Sequence, residues 1–316
     1  MKPKLLLTRK IPEAAIERLR QHFELIVNPN DAPLSRAELI ALVADVQAII
    51  CLLTDTIDTT VIDAAPHLKV ISAYAVGYNN IDVKYATSKG IAVCNTAGVL
   101  TESTADLAWA LIMATCRRIT ESEAFLRAGK FKAWEPMMML GQDVYNKTLG
   151  ILGMGRIGQA VAKRATGFGM RIIYYSSSPK ELPFEAERVE LDTLLREADI
   201  LSLHAPLTPE TKHLIGKAEI ALMKPTATLI NTARGAIVDE KALIAALADQ
   251  RIFAAGFDVY EEEPHIPAAL LALDNVVLLP HIGSASIATR TNMGFMAAEN
   301  ALAVIEGRKP LSQVNG

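Results

Sequence analysis

The stretch Thr148-Leu-Gly-Ile-Leu-Gly153-Met-Gly155-Arg-Ile-Gly158-Gln-Ala-Val-Ala162 decides the fold. Five residues of strand type run into a G-x-G-x-x-G turn, and an amphipathic segment starts at Arg156 within it. In this order each glycine has a task. The first permits a tight turn, the second lets the backbone approach a pyrophosphate, and the third lets helix and strand pack closely. The helix start offers free N–H groups and a positive dipole end to an anion. Glycine turns also arise for structural reasons alone, but here a strand precedes and a helix follows, the context a dinucleotide-binding turn requires.

Outward from this turn, the chain alternates short apolar runs with longer amphipathic ones. Downstream, the pattern predicts strands at Arg171–Tyr175, Ile200–His204, Thr228–Asn231, Ala254–Asp258 and Val276–Leu279. Helices are predicted at Arg156–Gly167, Leu191–Ala198, Lys217–Leu222 and Lys241–Ala248. With Thr148–Leu152 this makes six strands with helical crossovers, a doubly wound dinucleotide fold. Upstream, strands are predicted at Lys4–Thr8, Glu24–Val27, Ala48–Leu53, Val70–Ala73 and Ile91–Cys94, with helices at Glu13–His22, Arg36–Leu42, Thr60–Ala65 and Val83–Lys89. These strands are continuous apolar runs, as in a parallel sheet covered on both faces.

A long helix at Glu102–Arg118 separates the two series, and a last one, Ile287–Glu306, is long enough to return to the first. The expected fold class is α/β: two doubly wound parallel-sheet domains, Rossmann-like and flavodoxin-like, with a cleft between them. The expected boundaries are 1–99 plus 286–316 for a discontinuous substrate (catalytic) domain and 100–285 for a dinucleotide-binding Rossmann domain.

Composition narrows the function classes. A chain of 316 residues suggests two domains at roughly 150 residues each. With 51% hydrophobic and 21% charged residues, it is not intrinsically disordered. A net charge of −3, from 32 basic and 35 acidic residues, gives no electrostatic case for nucleic acid. Three cysteines without C-x-x-C spacing argue against a disulfide framework or zinc knuckle and fit a reducing cytoplasm. The N-terminal apolar core is three residues, short of a signal peptide, and no run nears the ~18 apolar residues of a membrane span. No metal-ligand spacing is present, so no metal is expected.

The strand Arg171–Tyr175 ends in Ser176-Ser177-Ser178-Pro179-Lys180. An NAD site usually places Asp or Glu here, roughly 20 residues past the glycines, to hold the ribose 2′-hydroxyl. Serine removes that carboxylate and its repulsion of a 2′-phosphate, which three hydroxyls and Lys180 suit. Arginine, the usual bidentate partner of phosphate, is absent from the serine run. NADP(H) is favoured and NAD(H) stays open, since Lys180 reads equally well as a solvated surface lysine.

Three charged or titratable residues fall at predicted strand ends: Arg234 in Leu229-Ile-Asn-Thr-Ala-Arg234-Gly235, Glu263 in Asp258-Val-Tyr-Glu-Glu-Glu263-Pro264, and His281 in Val277-Leu-Leu-Pro280-His281-Ile-Gly283. Ligands of open α/β sheets bind outside the carboxyl ends of strands, where these residues are expected. A bland reading exists for each: a surface arginine, a solvated acidic face over Glu261–Glu263, a structural histidine. His22, His67, His213 and His265 read as ordinary surface residues, and Cys94 and Cys116 as small buried apolar ones. Met137–Met139 read either as packing or as part of a loop narrowing the active site.

Taken together, these motifs resemble the D-isomer-specific 2-hydroxyacid dehydrogenases over essentially the whole chain. The resemblance also rests on Tyr74-Ala-Val-Gly77-Tyr-Asn-Asn-Ile-Asp82 and Leu201-Ser-Leu-His-Ala-Pro-Leu-Thr208. The segment Trp134–Tyr145 and the acid-free serine run are most similar to the glyoxylate/hydroxypyruvate reductase branch. The resemblance implies NAD(P)H-dependent reduction of small 2-keto acids, glyoxylate to glycolate and hydroxypyruvate to D-glycerate.

By the same resemblance, His281 is the proton donor, since imidazole suits proton transfer near neutral pH. Glu263 pairs with and orients it, and Arg234 holds the substrate carboxylate and polarises the carbonyl. Backbone N–H groups around Val76 and Gly77 complete the substrate site. Asp258 meets the nicotinamide amide and Thr104 the cofactor phosphate region. Gly153, Gly155, Arg156, Ile157, Gly158, Ser176, Ser177, Ser178, Lys180, His204, Pro206, Thr232, Ala233 and Gly283 complete the cofactor contacts. A homodimer is implied, with the Glu102–Arg118 helix and the Trp134 loop as its surface.

Two alternatives stand beside this reading. One is another member of the family, such as a phosphoglycerate dehydrogenase, disfavoured by the lack of an extra basic cluster in the first domain and of room past Gly316 for a regulatory domain. The other is a non-enzymatic, NAD(H)-sensing corepressor-like binding protein, disfavoured by the absence of partner-docking extensions.

Overall fold

The computed structural model describes residues 2–316. It divides into two compact units, one running to Leu100 and completed by Ser284–Gly316, the other Thr101–Gly283.

The first unit alternates strand and helix: β1 (Lys4–Leu7), α1 (Glu13–His22), β2 (Glu24–Val27), α2 (Arg36–Val43), β3 (Ala48–Cys51), α3 (Thr59–Asp63), β4 (Val70–Ala73), α4 (Val83–Ser88) and β5 (Ala92–Cys94). All pairings are parallel, in the order β2-β1-β3-β4-β5, the flavodoxin-like arrangement. Leu5, Leu6 and Leu7 are consecutive and all fully buried, so both sheet faces are covered. Burial of such a side chain stabilises by roughly 1.5–3 kcal/mol, which is why these strands read as unbroken apolar runs. Helix starts are set locally: at α2, Ser35 and Glu38 form a reciprocal capping box, with Ser35 N–H donating to Glu38 Oε2 at 2.8 Å. The C-terminal helix Ile287–Ile305 closes the unit, and Ser72 Oγ on β4 donates to its Ala297 carbonyl at 3.0 Å.

The second unit opens with α5 (Thr101–Cys116) and α6 (Ile119–Arg127). It continues as β6 (Thr148–Leu152), α7 (Arg156–Ala165), β7 (Arg171–Tyr175), β8 (Glu187–Arg188), α8 (Leu191–Glu197), β9 (Ile200–Leu203), α9 (Lys217–Leu222), β10 (Thr228–Asn231), α10 (Glu240–Ala248), β11 (Ala254–Phe257), α11 (Ala268–Leu271) and β12 (Val276–Leu278). Its sheet is parallel throughout, in the order β12-β11-β10-β9-β6-β7-β8. Strand order therefore reverses between β6 and β9, the switch point where a doubly wound sheet takes its ligand.

The sheet has seven strands where the sequence predicts six, because the exposed dipeptide Glu187–Arg188 pairs with Ile173 and Tyr174 of β7. The predicted helix Glu102–Arg118 also breaks early. Arg118 takes a left-handed φ of 52° and its guanidinium turns to Glu121 at 2.6 and 2.8 Å, starting α6. Helix α5 is a core helix: Ala105, Ala108, Leu111 and Ile112 are buried, and Trp109 stacks on Phe168 at 4.5 Å. The apolar content assigned to a partner surface is thus used inside the unit. Seven of the fourteen exposed large apolar side chains among the described residues gather in the next segment, Ile119, Leu126, Phe131, Trp134, Met137, Leu140 and Tyr145.

Candidate active site

The glycine turn sits at the switch point. Gly153 has φ +96°, and a β-carbon there would lie 2.5 Å from the Ala205 backbone nitrogen at the end of β9. Only glycine lets the two strand ends come so close. A β-carbon on Gly158 would meet the Gly153 carbonyl oxygen at 2.2 Å, so the third glycine joins helix to turn. Gly155 caps α7 with no side-chain cap and with open space around its α-carbon. The N–H groups at the start of a helix lack intrahelical partners, and a β-carbon at Gly155 would meet nothing within 4 Å. Thr232, just past β10, is buried with a hydroxyl that has no hydrogen-bond partner. An open helix start after β6 and an orphaned hydroxyl after β10, two strands away in the same parallel sheet, fit a dinucleotide.

The remaining predicted cofactor residues follow strand by strand. After β7, Ser176 is buried and its hydroxyl donates to the Ser178 carbonyl at 2.6 Å, so Ser177 and Ser178 supply the outward hydroxyls. Lys180 Nζ donates to Ser178 Oγ at 2.9 Å. After β9, His204 is half-buried with Nε2 2.8 Å from Ser202 Oγ, and burial pushes its imidazole down to about 3, leaving it neutral near pH 7. Pro206 lies on the exposed loop beyond, its carbonyl accepting from Thr211 Oγ1 at 2.7 Å. Arg156 is exposed and Ile157 half-buried in the first turn of α7.

Arg234, Glu263 and His281 follow β10, β11 and β12, at the same edge of the parallel sheet. His281 Nδ1 lies 2.8 Å from Glu263 Oε2, and the other carboxylate oxygen accepts the Tyr260 N–H at 3.0 Å. Burial raises the Glu263 carboxyl, but His281, the Tyr260 N–H and the Arg234 charge outweigh it and hold the group below its usual range. Arg234 is half-buried; desolvation lowers its pKa against the pull of Glu263, yet a guanidinium stays charged at any working pH. Its Nη1 donates to the Ala233 carbonyl at 2.6 Å.

His281 itself adopts a left-handed φ of 54°, uncommon for a residue with a β-carbon. Asp258 braces the peptides that follow: Oδ1 accepts from Ile282 N and Oδ2 from Gly283 N, each at 2.7 Å. Burial raises the Asp258 carboxyl, with the two N–H bonds opposing. Gly283 also faces Thr104 of α5, whose Cγ2 would lie 3.4 Å from a β-carbon there. Sequence reading missed several supporting residues. Asn231 braces the turn to Arg234, accepting from Ala233 N at 3.0 Å and donating to the Arg234 carbonyl at 2.9 Å. The Tyr260 hydroxyl ties the Glu263 loop to the Leu279 carbonyl at 2.9 Å.

Val76 and Gly77 belong to the first unit, past β4, where Asn95 Nδ2 donates to the Val76 carbonyl at 2.8 Å. A cavity of about 600 Å³ lies elsewhere in the second unit, lined by Thr115, Arg118, Asn275 and residues at the amino-terminal side of β11 and β12, away from these strand ends. Among the described residues, no cluster of His, Cys, Asp or Glu could hold a metal ion, and no helix is long and apolar enough to cross a membrane.

A doubly wound sheet with a glycine turn at its switch point and an imidazole–carboxylate pair along the same edge defines a class, the nucleotide-dependent oxidoreductases. A family model for the D-isomer specific 2-hydroxyacid dehydrogenase NAD binding domain matches residues 109–283. The glyoxylate reductase of Korarchaeum cryptofilum is 54% identical, covering 100% of this chain and 96% of its own, and that of Thermococcus gammatolerans is 51% identical with the same coverage. Among solved structures, the NADPH-dependent glyoxylate/hydroxypyruvate reductase of Sinorhizobium meliloti, in complex with NADP and malonate, superposes with a TM-score of 0.90 at 34% identity, covering 99% of this chain and 97% of that one. The chain belongs to the D-isomer specific 2-hydroxyacid dehydrogenase family, in its glyoxylate reductase branch.

Proposed function

We propose that the protein reduces glyoxylate to glycolate and hydroxypyruvate to D-glycerate, with NADPH as the preferred nicotinamide nucleotide. The observation that carries this reading is the 2.8 Å contact between His281 Nδ1 and Glu263 Oε2 at the sheet edge that also holds the glycine turn. The names of the relatives support the substrate class.

When bound, the nicotinamide supplies a hydride to the substrate carbonyl carbon. The chain's own residues do the rest. Gly153, Gly155 and Gly158 make room for the pyrophosphate, with the first N–H groups of α7 (Arg156, Ile157) directed at it. His204, Pro206, Thr232, Ala233, Asp258, Gly283 and Thr104 line the remainder, and Ser177, Ser178 and Lys180 meet the 2′-phosphate. Because a carboxylate only accepts, Glu263 keeps the hydrogen on His281 Nδ1 and leaves Nε2 to hold and release the proton for the nascent alkoxide. Arg234 pairs with the substrate carboxylate and polarises the carbonyl, with Val76 and Gly77 offering backbone N–H groups.

Absorbance decay of NADPH and of NADH with glyoxylate, hydroxypyruvate, pyruvate and phosphohydroxypyruvate tests this reading. Turnover of the first two with NADPH is expected; no turnover with any of them sinks it. A homodimer is proposed through the exposed apolar residues between Ile119 and Tyr145, with Trp134 the most prominent at 77% exposure. A monomer by light scattering overturns that part. A cytoplasmic location is supported by three cysteines that are all buried and unpaired.

A further inference from the structure

We propose that Arg188 is the arginine of the 2′-phosphate site, reaching it from the edge strand rather than from the serine run. This rests on the NADP reading above. Arg188 pairs with Tyr174 in the parallel register of β7 and β8, so its side chain starts one strand away from the end of β7. It then turns back to the serine run. Nε and Nη2 both donate to the Ser176 carbonyl, at 3.2 and 3.1 Å.

That geometry leaves the guanidinium with capacity to spare. Two of its five N–H donors meet the Ser176 carbonyl, and among the described residues it forms no ion pair. Its strand neighbour Glu187 is engaged with Arg171 at 2.8 Å. Arg188 is exposed, so a ligand anion can reach it. Lys180 stands on the same run, held to Ser178 Oγ at 2.9 Å, and the run itself carries no carboxylate. Two cations and the exposed hydroxyls of Ser177 and Ser178 around one strand end suit a phosphate monoester dianion. The neutral ribose 2′-hydroxyl of NAD(H) has no use for the second cation. A planar guanidinium fixed by its Nε edge presents the remaining donors in the fork that phosphate oxygens accept.

Fluorescence titration of the purified enzyme and its Arg188→Ala and Arg188→Lys variants with NADPH and with NADH tests the role. Arg188→Ala is expected to weaken NADPH binding by roughly tenfold to a hundredfold, the range for a charge-assisted hydrogen bond, while NADH binding changes less than about twofold. Arg188→Lys keeps the charge without the fork and is expected to fall between. NADH affinity doubles as the check that the edge strand still folds. A wild-type preference for NADPH that survives in Arg188→Ala overturns the role of Arg188 alone, as does an equal loss of both nucleotides. A wild-type enzyme with no preference for NADPH overturns the NADP reading, and the role with it.

Discussion

Gly235 lies so close to the Tyr260–Glu261 peptide that a β-carbon on it would sit 1.9 Å from the Tyr260 carbonyl carbon and 2.4 Å from the Glu261 nitrogen. The residue after Arg234 is therefore pressed against the backbone that leads to Glu263. The obstacle is main chain on both sides, so no side-chain rotation relieves it. Gly235→Ala is expected to destabilise the second unit by about 3 kcal/mol or to force the loops apart, with activity falling in either case. Thermal unfolding and kcat/KM measured together check this; a variant with wild-type Tm and turnover contradicts the contact.

Asp258 holds the chain just past His281 by accepting from two successive backbone N–H groups. Asn in its place keeps one acceptor and turns an NH2 group toward the other N–H. Asp258→Asn is expected to lower kcat by about tenfold or more through a displaced His281, and to cost about 1–3 kcal/mol for the unsatisfied N–H. The measurement is kcat across pH alongside cofactor affinity. Retention of full kcat shows that the His281 loop keeps its left-handed turn without the brace.

The central strands were legible because burial on both faces writes itself as unbroken apolar runs. Thr148–Leu152 and Val70–Ala73 appear in the structure with the bounds read from sequence. Elements without burial left no such mark. Helix α6 has no buried residue, and β8 is two exposed charged residues whose pairing is visible only in three dimensions. Residues joined across distant segments were equally silent. Nothing in the Arg-Gly step announces Tyr260 as its neighbour, and Arg188 meets Ser176 from 12 positions away with no motif between them. The strand ends that carry Arg234, Glu263 and His281 were readable, whereas the braces behind them, Asn231 and Tyr260, depend on loop paths that periodicity does not encode.

Glu263 and His281 share a 2.8 Å contact, but their variants are expected to fail differently. His281→Ala removes the proposed proton donor, so kcat is expected to fall by about 10²–10⁴ while cofactor affinity stays near wild type. Glu263→Gln keeps the shape but removes an obligatory acceptor: its amide can turn NH2 toward Nδ1, so the hydrogen is no longer confined to that nitrogen. Its kcat is expected to fall by about tenfold, less than for His281→Ala, with cofactor affinity near wild type. Steady-state kinetics and nucleotide titration of both variants check this. A Glu263→Gln enzyme with wild-type kcat contradicts the orienting role.

His204 makes stability depend on pH in a direction that can be worked out. Its imidazole, beside Ser202 Oγ, is pushed by burial down to about 3, against roughly 6.5 in an unfolded chain. Below about pH 6.5 the unfolded chain takes up a proton that the folded protein refuses until about pH 3. Stability is therefore unaffected by this group above that window and is lost as pH falls through it. The full linkage is about 1.4 kcal/mol per pH unit, and partial exposure of the ring reduces it, so about 1–2 kcal/mol is expected to be gone by pH 4.5. In His204→Gln, which has no proton to gain, Tm starts lower from the altered contact with Ser202 but falls less between pH 7 and pH 4.5. The gap between variant and wild type narrows as the solution is acidified. Tm curves that stay parallel over that range show that His204 titrates alike in both states and refute the assignment.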